Sequence, residues 1–146
     1  MAEVTLREVT RETIWPIMLL EVAEDQSHLV APNSMSIAEA YFEPKAWFRA
    51  IYADEDPVGF VMLYDDPETP KYYVWRLMIA AEHQRKGYGK RGMELLLDYV
   101  RTRPGATVVT VGSIPGDGSP QPFYESLGFV DTGEISGGEN TLQLEL

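Results

Sequence analysis

Residues 84–100, QRKGYGKRGMELLLDYV, set two glycines two positions apart inside a basic run and continue directly as apolar residues at helical spacing. Met93, Leu96, Leu97 and Val100 fall on one face of a helix expected over 87–102, ending before Pro104. The start of a helix carries unpaired backbone N–H groups and about half a positive charge. Gly87 and Gly89 remove Cβ bulk there and accept positive φ, so successive N–H groups can curve into a nest for an anion. Arg85, Lys86 and Lys90 add charge at its rim. The G-x-x-x-x-G-K-[ST] of a P-loop is absent, the run is read as G-x-G rather than as G-x-G-x-x-G, and a plain G-x-G spacing alone favours an ordinary strand-to-helix turn.

Working outward, YYVWRLMIA (72–80) is apolar along nearly its whole length, as a central strand covered on both faces should be, with Arg76 the exception. ATVVTVGS (106–113) reads as another buried strand, so strand, helix and strand form the one parallel crossover. AWFRAIYA (46–53) and VGFVMLYD (58–65) flank the turn DEDP as a hairpin. VTLREV (4–9) alternates as a first strand, and a helix from Thr13 to about Asp25 places Pro16 in its first turn. Ser36 and Glu39 have capping-box spacing for a short helix ending before Pro44, after the loop SHLVAPNS. SIPGDGSPQP is a loop leading to a short helix around PFYESLG, with Gly128 as its C-cap. FVDTGEI and NTLQLEL close the chain as two strands joined through SGGEN. The expectation is one domain over 1–146, of mixed α/β class: about seven mostly antiparallel strands packed by about four helices.

The 146 residues, 45% hydrophobic and 24% charged, suit a single domain with a real core. No apolar run approaches the roughly 18 residues that span a bilayer, and MAEVTLREVTRE lacks a signal-peptide layout, so a cytoplasmic location without a membrane partner is expected. The absence of cysteine excludes disulfides, thiolate metal sites and a cysteine nucleophile. Twelve basic against 23 acidic side chains give a net charge of -11, which disfavours nucleic acid and can attract a cationic substrate. No His, Asp and Glu cluster has metal-ligand spacing.

The longer string Gln84-Arg85-Lys86-Gly87-Tyr88-Gly89 resembles the acetyl-CoA signature Q/R-x-x-G-x-G/A of the GNAT superfamily of N-acetyltransferases, and FYESLGF (123–129) resembles that superfamily's F/L-Y-x-x-x-G-F segment. The resemblance covers nearly the whole chain and implies the GNAT-type sheet. It implies that backbone groups around Met78 and Ile79 pair with a pantetheine arm, that Arg85 to Lys90 hold a pyrophosphate, and that Tyr124 serves the departing CoA sulfur as acid or hydrogen-bond donor. Asp117 stands where the family often has a CoA-contacting asparagine. VAPN (30–33), SIAEAYF and VWRLMI are similar to bacterial diamine and polyamine acetyltransferase-like members, which adds Glu24, Asn33 and Trp75 as acceptor-side candidates; Trp75 stands where some relatives carry aspartate. The implied activity is acetyl transfer from acetyl-CoA to a primary amine of a small cationic acceptor, by direct attack in a ternary complex, with a homodimer as the expected assembly. The alternatives are a non-catalytic CoA-binding or protein-interaction module, and an acetyltransferase for amino acid, antibiotic or protein amines.

An alkylammonium with a pKa near 10.4 must lose a proton before it attacks a thioester, so a base is required. The sequence does not single one out. Glu21, Glu24 and Asp25 end the first expected helix, where a solvated polar face is the competing role. Glu82 and His83 precede the glycine turn, and His28 stands near VAPN without a partner at telling spacing. Trp15, Tyr41, Trp47 and Trp75 can wall an amine pocket or simply fill the core.

Overall fold

The computed structural model describes residues 2–146. In chain order the elements are β1 (Val4–Arg7), α1 (Ile14–Met18), α2 (Asn33–Phe42), β2 (Ala46–Ala53), β3 (Asp56–Asp66), β4 (Lys71–Ile79), α3 (Tyr88–Arg101), β5 (Val108–Ser113), α4 (Gln121–Ser126), β6 (Val130–Ser136) and β7 (Glu139–Glu145). Short 3-10 turns at Glu24–Gln26 and Ala81–His83 complete the connections. The seven strands form one sheet in the order β1-β2-β3-β4-β5-β7-β6. Every neighbouring pair is antiparallel except β4 with β5, the crossover that encloses α3.

Strand alternation sends side chains to two cores. On one face Ile51, Val61, Leu63, Val74, Val109, Val111 and Leu142 pack with Met93, Leu96, Leu97 and Val100, the stripe read from the α3 sequence. On the other, Ala50, Phe60, Met62 and Met78 pack with Ile17 of α1 and Ile37 of α2. Arg76, which interrupts the apolar run of β4, lies on that second face and forms an ion pair with Glu39 of α2 at 2.8 Å. Its partner makes a half-buried cation tolerable there.

Two local expectations change, and one strand irregularity is added. The first helix stops at Met18 rather than near Asp25. The carbonyl of Glu21 instead accepts from the Ala81 N–H at 2.9 Å, tying this segment to the end of β4 and withholding an acceptor that a continuing helix would use. The second helix starts at Asn33, with Pro32 at its N-cap. Ser36 is buried in its first turns with its hydroxyl on the Pro32 carbonyl, and Glu39 is committed to Arg76, so the two do not form a capping box. Finally, Met62 pairs with Arg76 and Leu63 with Val74, leaving Trp75 as an extra residue on β4. This bulge turns Trp75 and Arg76 toward the α1 and α2 side, where Trp75 packs against the second core.

Candidate active site

β4 and β5 are hydrogen-bonded neighbours only at Tyr73 with Thr110 and Val74 with Val111. Beyond that point they diverge, and the gap opens into a cleft of about 1110 Å³ lined by residues 74–79 of β4, Gly112 of β5, the start of α3, and Tyr124. Ala80 N–H donates to Val58 of β3, so backbone alternation turns the polar groups of Ile79 and Leu77 to the open β5 side and those of Met78 toward β3. The edge groups are therefore those of Leu77 and Ile79, a correction of one residue to the expectation for Met78. Gln84 occupies the Ile79 carbonyl through its Nε2 at 2.8 Å, which leaves the Ile79 N–H and both groups of Leu77 facing the gap.

At one end of the cleft stands the N-terminus of α3. Arg85 at φ 64° and Gly87 at φ 83° make two left-handed steps, and Gly87 is the N-cap. No side chain caps this helix and its first turn holds no acidic residue, so its N–H groups and positive end are uncompensated. A Cβ on Gly87 would meet nothing within 4 Å, so conformation is what requires glycine there. A Cβ on Gly89 would meet only ordinary contacts, 3.5 Å from Ile79 and 3.7 Å from Phe123, so the protein's own packing does not require that glycine. The free N–H groups of this first turn can receive a phosphate brought against the backbone. Gly87, Gly89 and Gly92 do stand at G-x-G-x-x-G spacing, which corrects the reading of the run as G-x-G alone. A Cβ on Gly92 would come within 3.0 Å of Ile51, so this third glycine lets α3 pack closely on β2.

Tyr124 enters the gap from α4. Its ring lies edge-on to Phe123 at 5.3 Å and to Phe129 at 5.7 Å, and Gly128 at φ 103° ends the helix so that Phe129 can fold back. Among the described residues nothing bonds its hydroxyl, although the ring is buried. Burial first, and the charge of Glu139 second, push the phenol's pKa well above the ordinary tyrosine value. It is thus a protonated donor with a free hydrogen at any physiological pH.

The other expected residues divide. Trp75, Gln84, Arg85, Tyr88 and Lys90 line the cleft, as do His28 and His83, the two histidines of the chain. Lys86, Asp117 and Glu24 are exposed and stand outside its lining, as do Glu21 and Asp25. Asn33 is buried and gives its amide to the Ile17 carbonyl at 2.9 Å, a structural bond beneath the cleft rather than a group within it. Trp15 and Tyr41 are exposed elsewhere, and Trp47 stacks on Tyr99 at 4.3 Å on the α3 side, so of the four aromatic candidates only Trp75 walls the cleft. Sequence reasoning missed Gln26, whose side chain exchanges hydrogen bonds with Gln84 at 2.8 and 3.3 Å and joins the loop before α2 to the glycine turn. It also missed Leu77 and Glu139, because neither carries a local signal.

No curated protein matches the chain in sequence. Solved structures share its fold at low identity. The PaiA N-acetyltransferase of Thermoplasma acidophilum in complex with coenzyme A superposes with a TM-score of 0.75 at 14% identity, covering 99% of each chain. A SpeG spermidine N-acetyltransferase mutant from Vibrio cholerae gives 0.73 at 17% identity, over 97% of this chain and 93% of that one. The N-acetylglutamate synthase of Neisseria gonorrhoeae, complexed with coenzyme A and N-acetyl-glutamate, gives 0.75 at 18% identity, over all 100% of this chain and 36% of that one. The sequence profile of the acetyltransferase (GNAT) family matches residues 12–129, a span that contains the splayed strands, the glycine turn and Tyr124. The chain belongs to the acetyltransferase (GNAT) family.

Proposed function

We propose that the protein moves an acetyl group from acetyl-CoA to a primary amine of a small cationic acceptor, by direct attack in a ternary complex. The observation that carries this reading is the divergence of β4 and β5 between an uncompensated helix N-terminus and an unbonded phenol. The groups present suit a CoA thioester: N–H donors and Arg85 and Lys90 for its phosphates, and strand-edge groups of Leu77 and Ile79 for its amide-bearing arm. When bound, it supplies an activated carbonyl at which the amine nitrogen reacts.

The chain's own groups have distinct tasks. A backbone N–H on the open edge of β4 faces the place where negative charge develops on the carbonyl oxygen. Tyr124 donates a hydrogen bond to the departing sulfur. Because its pKa is raised above that of an alkyl thiol, near 8.5 for cysteine, stabilising the thiolate by hydrogen bonding is favoured over complete proton transfer. The absence of cysteine leaves no thiol to carry the acetyl group, which supports direct transfer.

Cationic acceptors find support in the net charge of -11 and in the similarity to a spermidine N-acetyltransferase structure. The test is thiol release from acetyl-CoA over a panel of diamines, monoamines, amino acids and aminoglycosides. The expected result is the highest kcat/KM for diamines and polyamines, falling as salt rises through a Debye length of about 10 Å at 0.1 M. A panel led by neutral or anionic amines without salt dependence overturns the cationic preference. CoA binding with no release from any amine favours the non-catalytic module instead.

A further inference from the structure

Glu139 is the only aspartate or glutamate among the residues that line the cleft. It opens β7, immediately after the turn from β6. Val109 and Val111 of β5 and Leu142 of β7 are buried under α3, so strand alternation turns Gly112 and Glu139 to the opposite face of the sheet. That face also carries Trp75 and Arg76. A Cβ on Gly112 would stand 2.6 Å from Glu139 Oε1, so the carboxylate lies directly over this glycine, and the missing side chain at position 112 is what makes room for it.

The carboxylate has no ion pair and no side-chain hydrogen bond among the described residues, although it is partly buried. Arg76, the cation on the same stretch of the cleft, is taken by Glu39. Arg85 and Lys90 belong to the glycine turn and the α3 start, at the phosphate end. Glu139 is nonetheless close enough to the gap for its charge to act on the Tyr124 phenol, which reaches the same gap from the α3 and α4 side. The cleft is therefore polarised: cationic and N–H-rich at the start of α3, anionic at the start of β7. An anionic partner suits the first end and an ammonium the second.

We infer that Glu139 is the acceptor-binding carboxylate, drawing the amine in as its ammonium to the mouth of the gap between β4 and β5, opposite the Tyr124 hydroxyl. There the nitrogen gives its proton to solvent before it attacks the thioester. This rests on the acetyltransferase reading and names the residue that gives it a cationic substrate. Gly112 is its positioning residue, since any side chain there displaces the carboxylate. Elsewhere along the cleft Leu29 approaches within 4.0 Å of a Cβ on Gly118, bringing the loop before α2 against the loop before α4.

The experiment compares the wild type with Glu139→Gln, Glu139→Asp and Gly112→Ala. Its readouts are kcat and KM for 1,4-diaminobutane and for n-butylamine, calorimetric binding of 1,4-diaminobutane to the CoA-saturated protein, CoA affinity and melting temperature. The expected result for Glu139→Gln is a fall of at least tenfold in kcat/KM for both amines and a matching loss of diamine binding, with CoA affinity and melting temperature unchanged. Glu139→Asp keeps the charge and should lie between Gln and wild type, which a purely structural role would not produce. Gly112→Ala should raise KM in the same direction. Wild-type kcat/KM and wild-type amine binding in Glu139→Gln overturn the inference. If that variant does not fold, an unchanged KM in both Glu139→Asp and Gly112→Ala does the same. Failure of the underlying reading is distinguishable, because the unaltered protein then releases no thiol with any amine, and calorimetry of the diamine still decides Glu139.

Discussion

Tyr124 and Gly89 test the site through single atoms. Tyr124→Phe keeps the ring between Phe123 and Phe129 and deletes a hydroxyl that bonds nothing among the described residues. The expected outcome is an unchanged melting temperature and CoA affinity with turnover lower by roughly ten- to a thousandfold, the range of acid–base and hydrogen-bond assistance. Steady-state kinetics beside a thermal melt measure it, and loss of stability in step with activity would assign Tyr124 to packing instead. Gly89→Glu places a side chain and a negative charge at the start of α3, against Ile79 and Phe123. Like charge against phosphate should weaken CoA binding by roughly a hundredfold or more. Calorimetry on the folded variant checks it, and unchanged affinity would move the phosphate site elsewhere.

α3 joins packing to binding, and its glycines separate the two. Gly92 faces Ile51 at a Cβ distance of 3.0 Å, whereas Gly89 faces only contacts of 3.5 Å and longer. Gly92→Val must therefore push α3 away from β2 and should cost about 1–3 kcal/mol of stability, as overpacking does. Chemical denaturation measures that cost, and a stability equal to wild type would show that α3 has slack against the sheet. The stripe of Met93, Leu96, Leu97 and Val100 and the turn before it were legible because period and glycine content are local properties. The first helix was not legible in full. Residues 20–23 carry helix-compatible side chains, but the Glu21 carbonyl is claimed by Ala81, sixty positions away in the chain, and propensity yields to that bond.

Across the fold, four tyrosines have raised pKa values: Tyr72, Tyr73, Tyr99 and Tyr124. Burial is the first cause for each, and Tyr99, which also donates to Asp65 at 2.6 Å, is pushed up to about 12. In the unfolded chain these phenols ionise near pH 10. Their folded values lie higher, so the stabilisation is fully present below about pH 10 and is lost as pH rises through the folded values. Melting temperature should therefore be insensitive to these groups from pH 7 to about 10 and fall steeply above it. Tyr99→Phe should flatten part of that fall by removing one ionisation. A melt series across pH 7–12 gives the answer, and equal alkaline slopes in the two proteins would remove Tyr99 from the account.

By itself the sequence determined what is periodic or adjacent: the strand runs, the amphipathic α3, the glycine turn, the segment that presents Tyr124, and with them the class of the fold and the family. The tertiary structure alone decided which groups meet. One extra residue at Trp75 sets which face Arg76 occupies, and alternation from Ala80 gives the open edge to Leu77 and Ile79 rather than Met78. Asn33, conspicuous in the sequence, folds into a backbone bond, while Glu139, inconspicuous in SGGEN, is carried by the pairing of β7 with β5 to a place over Gly112. The physical reason is that periodicity and capping act within a few residues. Register, bulges and crossovers bring together side chains whose sequence neighbours carry no trace of the encounter.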